Sequence, residues 1–189
     1  MSGIGHNRGP QLAGSGWRTH CWTHARRELL GARLPIEVVR LQLRRARSLG
    51  LDYKTYAGVR ATTGRDLMAF LYSSNAIGVF RDEQAPAAQV LARITGSAAA
   101  PHLGTSPGLA PDVLARRLGA VSARPLAPFG ASWATLRNEM KGWLRAQGLP
   151  GDAVLMIGET AHEREMMTAG GLAGFVSGQA FFAGVSDAL

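Results

Sequence analysis

The sequence predicts an α/β protein: a small parallel sheet with helices on both faces, preceded by a basic helical module. Three observations carry that expectation. From residue 67 onward, short unbroken apolar runs alternate with stretches of helical period, the pattern of strands buried on both faces and joined by helices. Residues 1–66 instead read as helices without a strand. The charge divides at the same place, with twelve Lys+Arg against four Asp+Glu up to residue 66 and nine of each beyond it, so the whole net charge of +8 sits in the first part.

The expected organisation is a flexible lead-in over 1–16, a basic helical module over 17–66 and an α/β domain over 67–189. The lead-in is rich in Gly and polar residues and shows no period. Its Ile4-Gly5-His6-Asn7-Arg8-Gly9-Pro10 resembles an N-terminal signature of assorted bacterial and phage-related proteins, and carries no chemistry. A helix is expected from Trp17 to Leu30, where His20 and His24 share a face beside Cys21. Those three side chains suit part of a zinc site, but a structural zinc takes four ligands; the alternative is Cys21 packed as a small hydrophobe.

Pro35 to Gly50 has full helix punctuation: proline in the first turn, Glu37 near the positive end, Arg44, Arg45 and Arg47 toward the other end, and glycine as the stop. Ile36, Val39, Leu43 and Ala46 form its apolar stripe. A second helix opens on Asp52 as N-cap, turns Tyr56 and Val59 inward and stops at Gly64.

The first strand follows at Leu67–Tyr72 and ends in Ser73-Ser74-Asn75. Ala85–Thr95 reads as a helix, Gly96–Pro111 as a loop with a short strand near Pro101–Leu103, Asp112–Leu118 as a helix, and Ala123–Ala131 as a Pro-containing connector. Ser132 caps a helix reaching about Gln147. Ala153–Ile157 is an apolar strand ending in Gly158-Glu159-Thr160, a helix runs from about Thr160 to Thr168, and Leu172–Val176 is apolar again. Phe181-Phe182 predicts a core-facing last strand or a patch covered by a partner. Strand and helix alternate as in a small Rossmann-like sheet, whose ligands bind beyond the carboxyl ends of the strands. Ser73-Ser74-Asn75 and Gly158-Glu159-Thr160 mark that rim.

Several function classes drop out on composition. A single cysteine forms no intrachain disulfide, no apolar run has the length of a signal peptide or a membrane span, and the expected setting is the cytoplasm without a membrane partner. No phosphate-binding glycine loop, Gly-x-Ser-x-Gly or Cys-x-x-Cys is present. The basic front half points to a polyanionic partner.

Two resemblances add to this. Ala46 through Val59 looks like the DNA-reading helix pair of LacI-type repressors, a helix-turn-helix, with Ala46 small at the crossing, Gly50 in the turn and Leu51, Tyr56 and Val59 in the seam. The resemblance implies base contacts from Tyr53 and Lys54 and phosphate contacts from Arg44, Arg47 and Arg60. Arg45 belongs to the same basic run and is counted with it as a nucleic-acid contact, although it stands where that pattern is usually apolar. The second resemblance covers Lys141 through Val176, which is similar to the C-terminal part of the haloacid-dehalogenase-like superfamily. It implies Glu159 and Glu163 as metal-side carboxylates for Mg²⁺, Lys141 as a phosphate-side cation, and Ser73 or Ser74 as a phosphate donor. The chain departs from that family by having no Asp-x-Asp, the motif that supplies the attacking carboxylate. The leading functional expectation is therefore DNA binding by the helices, without a cofactor, joined to an α/β domain that senses a ligand or forms a homodimer. The alternatives are a phosphohydrolase-related domain, active or inactive on a phosphorylated small molecule, and a structural interaction protein.

Overall fold

Apolar strands and amphipathic helices alternate through the computed structural model, which describes residues 34–183. The helix expected over 17–30, with His20, Cys21 and His24, lies outside the described residues. The chain divides into two compact units between Arg40 and Leu41. Helix α1 (Ile36–Leu49) runs across that point. In its first turns Val39 N–H bonds to Pro35 O, and Arg40 pairs with Glu37 at 2.7 Å.

Within the second unit, α1 passes into α2 (Tyr53–Thr63) through a turn in which Gly50 takes φ 73°. Asp52 caps α2 by accepting from Thr55 N; the Thr55 hydroxyl, which donates to the same carboxyl, holds it below the usual range together with that backbone bond, and Gly64 closes the helix at φ 70°. Both ends fall where the sequence placed them.

There follow β1 (Ala69–Ser73), α3 (Ala88–Thr95), β2 (Ala100–Thr105), α4 (Pro111–Leu118), β3 (Ser122–Pro125), α5 (Trp133–Ala146), β4 (Val154–Gly158), α6 (Ala161–Gly170), β5 (Gly174–Ser177) and α7 (Gly178–Ala183). The five strands form one parallel sheet in the order β3-β2-β1-β4-β5. Each successive pair is joined through a helix, as parallel strands require. This is a Rossmann-like α/β fold.

All five residues of β1 and of β4 are buried, which is why both read as unbroken apolar runs. Their side chains alternate between two layers. Phe70, Tyr72, Leu155 and Ile157 face a layer completed by Leu49, Tyr56, Ile94, Leu114 and Phe181. Ala69, Leu71, Val154 and Met156 face the other, completed by Leu136, Met140, Trp143 and Met166. Ala46, Leu49, Leu51 and Tyr56 thus share one core with the sheet.

Three elements differ from expectation. The short strand expected near Pro101–Leu103 is present as β2 but is longer, six residues, its extent disguised by Pro101, His102 and Gly104. Inside the connector lies β3, an edge strand in which Pro125 is tolerated because its missing N–H faces no neighbour. Phe181 sits on a helix rather than a strand, buried edge-on against Phe70 at 5.6 Å and Tyr72 at 5.9 Å. Among the described residues no helix is long and apolar enough to cross a membrane.

The chain builds outward from β1 to β2 and β3, then returns to β1's other side with β4. The reversal point therefore lies between β1 and β4, and the crevice it opens is at their carboxyl ends.

Candidate ligand-binding crevice

Beyond Tyr72 the chain leaves β1 as Ser73-Ser74-Asn75. Ser73 is fully buried and its Oγ accepts from Ala76 N at 3.0 Å, which holds the turn. Ser74 is equally buried; its Oγ accepts from Ser106 N and lies 2.9 Å from Ser106 Oγ. Ser106 gives its one hydroxyl proton to Asn75 Oδ1 at 3.2 Å, so in the serine pair Ser74 is the donor. Asn75 Nδ2 donates in turn to Glu163 Oε1 at 2.8 Å. A carboxylate only accepts, which fixes the orientation of the amide.

Glu163 is 2% exposed, and a buried carboxylate needs partners. Its Oε2 accepts from Glu159 N at 2.6 Å and Thr160 N at 2.9 Å, while Thr160 Oγ1 accepts from Glu163 N at 3.2 Å. This capping box opens α6, whose positive end further suits the charge. The result is one hydrogen-bonded chain, Ser74–Ser106–Asn75–Glu163, across the ends of β2, β1 and β4.

Above the chain lies a cavity of about 410 Å³. Asn75, Ser106, Thr160, His162 and Glu163 form its polar end; Pro107, Leu126, Phe129 and Met166 form its apolar wall. His162 Nε2 is 3.1 Å from Ala127 O, which only accepts, so Nε2 carries a proton and ties α6 to the connector after β3, while Nδ1 lies 3.8 Å from Glu165 Oε2. The Phe129 ring meets His162 edge-on at 5.6 Å, yet Phe129 is 91% exposed. Glu159 is exposed, and its Oε2 accepts from Gln179 N at 3.2 Å, linking the end of β4 to the start of α7.

A second cavity of about 520 Å³ adjoins this one across Leu126, Ala127 and Met166 and runs along α5 past Met140 and Trp143. Behind it Trp143 Nε1 donates to Ser122 Oγ at 2.8 Å, and Ser122 Oγ lies 2.8 Å from His102 Nδ1. Burial pushes the His102 imidazole below its ordinary pKa.

The residues singled out from the sequence separate into groups. Glu159 and Glu163 share the rim, but Glu163 is enclosed in the network while Glu159 faces solvent. Ser73 and Ser74 are buried beneath the crevice, and Lys141 is exposed on α5 outside its lining. The first strand of the sheet ends in Ser-Ser-Asn, without a carboxylate. Among the described residues no three His, Cys, Asp or Glu side chains group as a metal site. Both Glu163 oxygens already accept from N–H groups, which leaves Glu159 as the exposed carboxylate of this rim.

On the helices, Arg44, Arg47 and Lys54 are exposed. Arg45 instead turns inward, Nε to Asp66 at 2.9 Å and Nη2 to Leu67 O at 2.8 Å, which accounts for an arginine at a position the helix-pair pattern keeps apolar. Tyr56 OH donates to the same Asp66 at 2.8 Å, and Arg60 Nη1 reaches Tyr56 OH at 3.5 Å. Tyr53 OH donates to Gln42 at 3.4 Å.

Sequence reasoning marked Asn75 as part of the rim without giving it a role, and passed over Ser106 and Phe129. Ser106 was hidden with β2, and Phe129 lies in a connector whose position depends on β3.

No protein-family model, curated protein or solved structure matches the chain.

Proposed function

We propose that the α/β domain binds a small molecule in the crevice beyond β1, β2 and β4, and that it does so as a binding or sensing domain rather than a hydrolase. One observation carries the reading: a closed polar network spanning three strand ends lies under a cavity at the sheet's reversal point. Buried polar networks rigidify what they connect, so the floor is held in place before any ligand arrives. The hydrolase alternative lacks an attacking carboxylate at the end of β1. The haloacid-dehalogenase-like resemblance is then that of an inactive relative.

The test is a thermal-shift screen of metabolites against the wild-type protein and Asn75→Ala. At least one compound should raise the wild-type midpoint and lose that effect in the variant. A screen with no such compound would overturn the reading.

A second role, DNA binding through the helix pair, is favoured by the exposed Arg44, Arg47 and Lys54 within a segment that holds all the net charge. With it the crevice becomes the sensing half of a regulator. Fluorescence anisotropy on mixed-sequence duplex across a salt series tests it: affinity should fall steeply with salt and weaken in Arg44→Ala/Arg47→Ala. Absence of binding at low salt would remove this role and leave the crevice reading in place.

A further inference from the structure

We infer that one elongated ligand occupies both cavities, a medium-length acyl chain whose carbonyl oxygen sits at the strand ends and whose tail lies along α5; this rests on the ligand-binding reading above. The crevice of about 410 Å³ and the cavity of about 520 Å³ share Leu126, Ala127 and Met166 as walls, and each lies in the range of small-ligand sites, ~300–1,000 Å³. Met166, which lines both, is unbranched and re-packs readily around a guest.

The second cavity suits a hydrocarbon. Leu136, Met140 and Trp143 follow one another at helical spacing, so they share one face of α5. Trp143 has spent its one side-chain N–H on Ser122 and offers a ligand only its ring. The connector that lines the same cavity has little to give a peptide backbone. Pro125 and Pro128 have no N–H, Leu126 N donates to Thr105 O, Ala127 O accepts from His162, and Pro128 O accepts from Ala131 N. A peptide laid there would leave N–H and C=O groups unpaired, a cost that an alkyl chain does not carry. Charge along this cavity is confined to the exposed Arg124 and Glu139.

The crevice end supplies donors. Asn75 accepts from Ser106 and gives one amide proton to Glu163, which leaves one N–H, and Ala161 and His162 open α6 on the same cavity. A carbonyl oxygen accepts from such groups; an ammonium head cannot. Length follows from α5, where Leu136 to Trp143 spans about 10 Å at a rise of about 1.5 Å per residue. An extended alkyl chain with bonds of about 1.5 Å advances about 1.25 Å per carbon, so about eight carbons cover that span.

The experiment is calorimetric titration of the full chain with butanoic, hexanoic and octanoic acids, methyl octanoate and octylamine, all below their micelle concentrations. Affinity should rise about fourfold per added carbon up to octanoic acid. Octanoic acid and methyl octanoate share the carbonyl and differ in charge, so the tighter of the two identifies the source as a free acid or an esterified acyl group. Octylamine should bind more weakly than either by about tenfold or more. Ala127→Leu, which adds bulk where the cavities meet, should end the gain by hexanoic acid. In fluorescence, 8-bromooctanoic acid should quench emission that is missing from Trp143→Phe.

A series flat in chain length, octylamine binding as tightly as octanoic acid, an unaltered series in Ala127→Leu, or equal quenching in Trp143→Phe would each overturn the inference. If Ala127→Leu does not fold, the wild-type series and the quenching decide. Failure of every probe to bind also overturns it, whereas the broader reading fails only if the metabolite screen yields no Asn75-dependent compound.

Discussion

Replacing Glu163 by alanine removes three hydrogen bonds to one carboxylate, and the structure indicates how much each matters. The bonds from Glu159 N and Thr160 N belong to residues that are themselves exposed, so water recovers part of their loss. Their combined contribution is that of a helix cap, about 1 kcal/mol. The bond from Asn75 Nδ2 is part-buried and charge-assisted, and such bonds contribute about 1.5–3 kcal/mol. Glu163→Ala should therefore cost about 3 kcal/mol, a large fraction of an ordinary folding stability of roughly 5–15 kcal/mol. Urea denaturation followed by circular dichroism measures this directly, with the slope unchanged if the transition remains two-state. A double-mutant cycle with Asn75→Ala isolates the pair and should give a coupling of about 1–2 kcal/mol. A loss below about 0.5 kcal/mol, or a coupling near zero, would refute the claim that this network holds the strand ends together.

Other outcomes follow from single contacts. Arg45→Ala should destabilise the protein by about 1–2 kcal/mol through its bonds to Asp66 and Leu67 O, whereas Arg44→Ala and Arg47→Ala should stay within about 0.5 kcal/mol; equal effects in urea would contradict the inward placement of Arg45. A Cβ on Gly178 would lie 2.6 Å from Ala76 O, a backbone atom that cannot swing aside, so Gly178→Ala should cost about 1–3 kcal/mol; a neutral result would mean that α7 packs elsewhere. Burial lowers the His102 pKa, so the unfolded chain takes up a proton first as pH falls through the ordinary value of 6.5. Its contribution is full above that pH and declines below it by at most about 1.4 kcal/mol per pH unit. The difference in urea stability between pH 7.5 and pH 5.5 should shrink in His102→Gln, and an unaltered difference would show that His102 is not the titrating group.

Helix ends were legible because capping is local. Asp52 and Thr55, Ser132 and Thr135, and Thr160 and Glu163 each sit three residues apart, and each N-cap side chain accepts from the backbone N–H of its partner. The buried strands β1 and β4 were legible because burial on both faces leaves no polar residue to interrupt them. By contrast, β3 has two exposed residues among four and no apolar run to detect. In β2 the interruption is itself structural: a Cβ on Gly104 would lie 2.5 Å from Leu126 Cδ2, so the close approach of the connector accounts for a glycine inside a strand. An apolar helix stripe does not reveal what covers it, and Ala46 and Tyr56 give no sign in sequence that their cover is the sheet. The site was half legible for the same reason. Ser73-Ser74-Asn75 and Glu159 through Glu163 are recognisable as strand ends, but the Asn75–Glu163 bond spans 88 residues and exists only because β1 and β4 pair.

Crystallographic soaking of the wild-type chain with a diverse set of small fragments tests the central claim most directly. Density for bound fragments should concentrate in the crevice, in contact with Asn75 and Thr160 and against Phe129, without displacement of the Glu163 carboxylate. Fragments that bind elsewhere while the crevice stays filled only by solvent would contradict the assignment of this strand-end cavity as the protein's ligand site.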